Sequence, residues 1–225
     1  MVLVKEMARI ETTHLFRDRE DAGRQVAQRL KGRGFRNPLV MAIPRGGLVI
    51  GVTMAKELNA ELDVVLARRL RMPGKPESTL GAVAEDGRVV LDPAFEQLDF
   101  PPEVIAEERD FQLSLIARRR DLYRAVRPPA ELARRSIIIT DDGIATGLTM
   151  LAALEVVKTQ GPFEVIVAVP VSSSDQLQAI RQRCDEFLSL YSPHRFQSIG
   201  DVYEDFDLLG DDELAQLLRP YAPQC

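Results

Sequence analysis

Apolar and polar positions change period along the chain in a regular order. Over 18–32, Ala22, Val26, Ala27 and Leu30 recur at helical spacing behind Asp18 and ahead of Gly32. That predicts an amphipathic helix with an acidic cap and a glycine stop. Leu39–Ile43 is a short continuous apolar run, and a helical pattern follows to about Leu58. Leu62–Ala67 is a second apolar run, broken only by Asp63. Strand, helix and strand at this spacing predict parallel pairing. From Arg68 to Arg135 the alternation lapses. Residues 71–79, with Pro73, Gly74 and Pro76, read as a mobile loop. Leu80–Ala84 and Arg88–Leu91 flank Glu85-Asp86-Gly87 as a hairpin turn. A long helix is expected over 103–125, with Val104, Phe111, Leu115 and Leu122 along its apolar stripe. Alternation resumes with strand 136–140, helix 148–159, strand Glu164–Val169, helix 173–183 and strand Phe187–Tyr191. Asp211-Asp212-Glu213 then open a last helix to about Leu218, as acids at a helix start should.

These elements predict an α/β chain: a Rossmann-like parallel sheet of about five strands flanked by helices. The expected organisation is one domain over 1–225. Its core spans 38–191, its first helix 18–32, its insertion 68–135 and a terminal annex 192–225.

Composition narrows the picture. At 225 residues, 45% hydrophobic and 28% charged, the chain can bury one full core. A net charge of −5 and a pI near 5.3 speak against a dedicated nucleic-acid binder. No apolar run approaches the ~20 residues of a membrane span. Met1–Phe16 carries Lys5, Glu6, Arg9 and Glu11, so no signal-peptide core is expected there. Cys184 and Cys225 have no metal or redox spacing, and the cytoplasm is the default compartment. His14 and His194 are too few for a histidine-rich metal site, and each reads as a surface or capping residue.

The densest chemistry lies at 137–150. Ile137-Ile138-Ile139 runs into Asp141 and Asp142, then Gly143-Ile144-Ala145-Thr146-Gly147, and a helix begins at Leu148. Ligands of open α/β sheets bind at this strand end. Free N–H groups at the helix start, with Gly143 and Gly147 allowing close approach, make a phosphate cradle. The two acids must instead face hydrogen-bond donors or positive charge, such as sugar hydroxyls or a hydrated metal. A ligand with phosphate and ribose parts satisfies both halves. Plain helix capping would need only one Asp, Ser or Thr. A second strand ends at Pro44-Arg45-Gly46-Gly47, where two glycines expose amides and Arg45 adds a fork-shaped charge suited to phosphate. Alone, this is a tight βα turn. Placed upstream on the same sheet edge, it becomes a second anion cradle.

The 137–150 segment resembles the phosphoribosyl-diphosphate (PRPP) motif of type I phosphoribosyltransferases, with matches at Asp141, Asp142, Thr146, Gly147 and Thr149. The resemblance implies the type I fold, with a small hood built from terminal segments. It implies a transferase that moves the phosphoribosyl group of PRPP to a nitrogen nucleophile such as a nucleobase, releasing diphosphate. In it Asp141 and Asp142 hold the ribose hydroxyls, directly or through Mg²⁺, and Gly143, Ile144, Ala145, Thr146, Gly147 and Thr149 bind the 5′-phosphate. Arg45, Gly46 and Gly47 hold the diphosphate, often through a non-proline cis peptide, with Arg68 or Arg69 beside it. Strand alternation alone leaves open which of that pair points inward. The family's flexible loop maps to 71–84, where Lys75 is the one lysine, and this chain's longer insertion departs from the smaller members. Tyr203 and Phe206 of the hood could stack on a flat base, or simply pack the annex onto the core. The Arg118-Arg119-Arg120 run reads as a solvated face, with substrate phosphate as the alternative. The fold commonly forms dimers. Two rival readings stand: a PRPP- or nucleotide-binding regulator on the same fold, and an unrelated acidic-pocket phosphate domain.

Overall fold

The computed structural model describes residues 14–96, 101–173, 177–193, 198–207 and 209–222. His194, Cys225, the first 13 residues and the start of the expected 173–183 helix lie outside them. The centre is a five-stranded parallel sheet in the order β2-β1-β6-β7-β8. Its strands are β1 (Leu39–Ala42), β2 (Glu61–Val64), β6 (Ser136–Thr140), β7 (Glu164–Val171) and β8 (Glu186–Tyr191). Leu39 pairs with Ile137 and Ala42 with Thr140, so the loops after β1 and β6 leave the sheet side by side.

Strand period places alternate residues on opposite faces. Val40, Ala42, Leu62, Val64, Ile138, Ile166 and Ala168 point to one side, under α1 (Arg19–Leu30) and α2 (Gly46–Leu58). Leu39, Met41, Ile137, Ile139, Val165, Val167 and Val169 point to the other, under α5 (Leu148–Lys158) and α6 (Leu177–Arg181). Both faces are therefore covered, as a parallel sheet requires. Helix α1 starts at Asp18, whose carboxylate accepts from the Asp21 N–H at 2.7 Å.

The insertion forms a second sheet, with antiparallel order β3-β4-β5: β3 (Ala67–Met72), β4 (Lys75–Ala84) and β5 (Val89–Leu91). Two expectations are corrected here. The apolar run 62–67 is not one strand, because β2 ends at Val64 and Ala67 opens the second sheet. Residues 71–79 are not an open loop but the end of a hairpin. It turns at Pro73-Gly74, with Gly74 at φ +76, and its register slips between Arg71↔Thr79 and Met72↔Lys75. Pro76 cannot donate to a ladder, and the slip takes it out of one. The Glu85-Asp86-Gly87 turn joins β4 to β5 as expected, with Gly87 at φ +88.

A short helix α3 (Pro93–Glu96) precedes α4 (Pro102–Val126), which packs on the second sheet. Its inner face is displaced by one residue from the expected stripe. Gln112, Ile116 and Tyr123 are buried, whereas Phe111 is 47% exposed. The reason is polar. Gln112 donates to Glu108 at 2.7 Å and accepts from Arg68 Nε at 2.7 Å, so a satisfied amide holds a core position. At the far end of α4, Arg124 meets the buried Asp63 carboxylate at 2.5 Å, and the Ala130 N–H donates to its other oxygen at 2.8 Å.

The annex ties the chain's two ends together. Phe16 bridges to Tyr203, and the Glu204 and Asp205 amides donate to the Phe16 and Arg17 carbonyls. Helix α7 (Asp211–Leu217) then packs against α2 and α4. No described helix is long and apolar enough to cross a membrane. Burial pushes the half-buried Cys184 thiol up to about 11.

Candidate functional site

The site grows from the ends of β1 and β6. After Thr140 the chain turns through Asp141 and Asp142, and Gly143 passes beneath the annex. A Cβ on Gly143 would stand 2.8 Å from Ile199 and 2.9 Å from Val171. Packing against Ile199 of the annex and Val171 of β7 therefore requires glycine at this position. Ile144 is buried and bonds through its backbone to Val171 and Ser173, so its side chain belongs to the core. Ala145 and Thr146 are exposed, and Gly147 adopts φ +75 just before α5. The N–H groups of Ala145, Thr146 and Gly147 donate to no described backbone carbonyl, which leaves them free for an anion.

The loop after β1 comes up against these acids. Its Pro44–Arg45 peptide is cis. A Cβ on Gly46 would overlap the Asp142 carboxylate, and one on Gly47 would stand 2.8 Å from Asp141 Cα. The two glycines thus let the two loops touch. Arg45 is half-buried at the first position before α2 and makes no ion pair with a described residue.

One site residue escaped the sequence. Arg19 of α1 is 4% exposed and reaches across to Asp142, with Nε at 3.0 Å and Nη2 at 2.9 Å from the same oxygen. Only Nε is aligned as a hydrogen bond, and Nη2 has no aligned partner among the described residues. Nη1 donates to the Asp207 carbonyl at 2.9 Å, and the guanidinium lies 3.8 Å from the Phe206 ring centroid. The signal was present: a cation in the first turn of a helix opposes the macrodipole and needs another reason to be there.

Tyr203 is a correction. It is 2% exposed, packed between Phe16 and Phe206 at 5.4 and 5.1 Å, and its hydroxyl donates to the Asp142 carbonyl at 2.6 Å. It braces the acidic loop and offers no free face to a base. Phe206 is half-buried and already carries Arg19 and Tyr203. The packing alternative holds for Tyr203.

Burial, reinforced by the neighbouring Asp142 charge, holds the Asp141 carboxyl well above the ordinary carboxylate range. Burial also raises Asp142, against the opposing pull of Arg19. Asp141 spends one oxygen on the Asp142 N–H at 2.8 Å, and Asp142 spends one on Arg19. The two carboxyl groups also meet each other side chain to side chain. Among the described residues no three His, Cys, Asp or Glu side chains gather to cage a metal. The donor set fits Mg²⁺ only if ligand oxygens and water supply most of its shell, a mode this ion favours.

Of the remaining predicted residues, Arg68 is half-buried with its Nε on Gln112, and Arg69 is exposed, so Arg68 is the one turned inward. Thr149 is half-buried in the first turn of α5, beside the exposed Thr146. Lys75 is exposed at the β3–β4 turn. Within the basic run of α4, Arg119 is largely covered and pairs with Asp211 at 3.1 Å, while Arg118 and Arg120 are exposed.

Comparison with known proteins places this geometry. A family model described as "Phosphoribosyl transferase domain" matches residues 12–204. Two Mycobacterium tuberculosis proteins, provisionally named phosphoribosyl transferases, are 37% identical over 205 residues. The match takes in 91% of this chain but 46% of each relative, so the chain spans about half their length. The crystal structure of TT1426 from Thermus thermophilus is 40% identical, covers 92% of this chain and 99% of its own, and superposes with a TM-score of 0.77. The AQ2163 protein of Aquifex aeolicus shares the fold at 15% identity and a TM-score of 0.50, over 81% of this chain and 76% of its own.

Proposed function

The chain belongs to the phosphoribosyl transferase family, and from that membership we propose that it moves the 5-phosphoribosyl group of PRPP to a nitrogen nucleophile, with release of diphosphate. The observation that carries this reading is the contact of two glycine-bearing loops, Gly46 on Asp142 and Gly47 on Asp141, at adjacent parallel strand ends. One loop offers free amides and hydroxyls for a phosphate, the other offers Arg45, and two carboxylates lie between them. A ribose carrying phosphate groups at both ends matches that order of charges.

In the proposed reaction the C1–O bond to diphosphate breaks, its electron pair leaving with the diphosphate, as a C1–N bond forms, and the proton of the acceptor nitrogen passes to the departing diphosphate or to solvent. The amides of 145–147, with the Thr146 and Thr149 hydroxyls, hold the 5′-phosphate. Asp141 accepts from a ribose hydroxyl and favours positive charge on the sugar. Asp142 contributes mainly by fixing the loop through Arg19 and the Gly46 contact. Arg45, the Gly46 and Gly47 amides and Arg68 receive the diphosphate; a Mg²⁺ ion bound near Asp141 and Asp142 would supply further charge neutralisation for the leaving group. The protein's contribution is chiefly positioning.

Calorimetry with PRPP and Mg²⁺, followed by diphosphate release across a panel of bases and amines, tests the reading. Binding followed by release with one acceptor class is expected. Binding with no release on the whole panel favours a PRPP-sensing regulator, and absence of binding overturns both.

A further inference from the structure

A second concentration of polar groups lies where β3, α4 and α7 meet. A cavity of about 420 Å³ there is lined by Arg68, Leu115, Arg118, Arg119, Leu122 and Asp211. Three of these residues are guanidinia and one is a carboxylate. Arg119 Nε donates to one Asp211 oxygen at 3.1 Å, and the other oxygen is buried with no partner among the described residues. Arg68 spends its Nε on Gln112, and neither Arg68 nor Arg118 forms an ion pair with a described carboxylate. Burial first, and then the charges of Arg119, Arg71 and Arg45, push the Arg68 guanidinium below its ordinary range. Tyr123 lies one turn beyond Arg119 on α4. Its hydroxyl is buried without a described partner, and burial with the Asp211 charge pushes it up to about 12, so it keeps its proton to donate.

A solvated basic face is the plainer account of such a run, and it suits Arg120. It does not suit Arg119, which is largely covered, or Arg68, which faces like charges from a half-buried position. Arg119 already has Asp211 beside it, so the guanidinia without a described carboxylate at this cavity are Arg68 and Arg118, and an entering anion would compensate them.

We propose that this pocket is an anion site for a phosphoryl or diphosphoryl group, with Arg68, Arg118 and Arg119 as its donors and Asp211 as a built-in competitor for Arg119. Two sources share that chemistry: the diphosphate released from PRPP, and a separate phosphate-bearing effector. Only the first source rests on the transferase reading.

The test is calorimetric titration of the full chain with inorganic diphosphate, comparing wild type, Arg118→Gln/Arg119→Gln and Asp211→Asn, each checked by thermal melting. Loss of two charge-assisted bonds should weaken diphosphate roughly tenfold or more in the double variant. Asp211→Asn should tighten it severalfold, because a repelling charge goes and Arg119 is freed. A folding defect would weaken both, so the opposite signs carry the proposal. Equal affinity in all three proteins, or weakening in both variants, overturns it. Repeating the titration with PRPP and Mg²⁺ saturating separates the sources: heat abolished assigns the leaving diphosphate, and one persisting site per chain assigns an effector. If PRPP fails to bind while the variants keep opposite signs, the transferase reading falls and the pocket stands.

Discussion

The acidic loop and the arginine pocket are both rich in charge, yet they are built on opposite terms. Around Asp142 charges are matched and space is full: Arg19 pairs with the carboxylate, Tyr203 braces the carbonyl, and glycine is required at 46 because nothing larger fits. Around Arg68 and Arg118 charges are unmatched and space is open. A compensated buried charge holds the fold in shape, whereas uncompensated charge beside a cavity is poised for something that arrives later. If the pocket takes an anion as proposed, arginines that hold the fold in shape around Asp142 serve recognition around Arg68 and Arg118.

Stability measurements should separate the two regions most widely. Asp142→Ala leaves the Arg19 guanidinium buried without its partner and should cost about 3–5 kcal/mol in denaturant unfolding. A loss below ~1 kcal/mol would break the comparison at its root. Gly46→Ala forces a methyl onto the Asp142 carboxylate and should cost about 1–3 kcal/mol, the usual toll of overpacking.

The acidity of Asp141 gives a third lever. Its folded pKa stands above its ordinary value of 3.8, so the folded chain holds that proton more tightly than the unfolded chain. Its contribution to stability is fully present below 3.8 and is lost as pH rises through the raised folded value. Ligand affinity should run the other way, since a ribose hydroxyl needs the ionised carboxylate. Asp141→Asn should flatten both slopes, measured by melting and by PRPP titration across pH. The smallest effect is expected in the open pocket: Arg118→Gln should shift stability by less than about 0.5 kcal/mol.

Much of the scaffold was legible because its signals are local. Ile137-Ile138-Ile139 and Leu39–Ile43 announce buried strands, and the acids and glycines that end them are contiguous in the chain. What was not legible depends on distance or on satisfied polarity. Arg19 and Asp142 are 123 residues apart, and only folding brings them together. Helix α4 was read one residue out of register because Gln112 takes a core position through its hydrogen bonds, which an apolar count passes over. The β3–β4 hairpin hid behind Pro73, Gly74 and Pro76, whose breaks a turn and a register slip absorb. Gly143 carried the right identity for a reason supplied by Ile199, well beyond the motif.

The central claim is that the touching loops receive PRPP, with Asp141 as the acid that meets its ribose. Calorimetry of wild type and Asp141→Asn with PRPP and Mg²⁺ tests it most directly. One PRPP per chain is expected for the wild type, with loss of that binding in a variant that melts like the wild type at neutral pH or above it. No heat from the wild type, or equal binding by the variant, would contradict it.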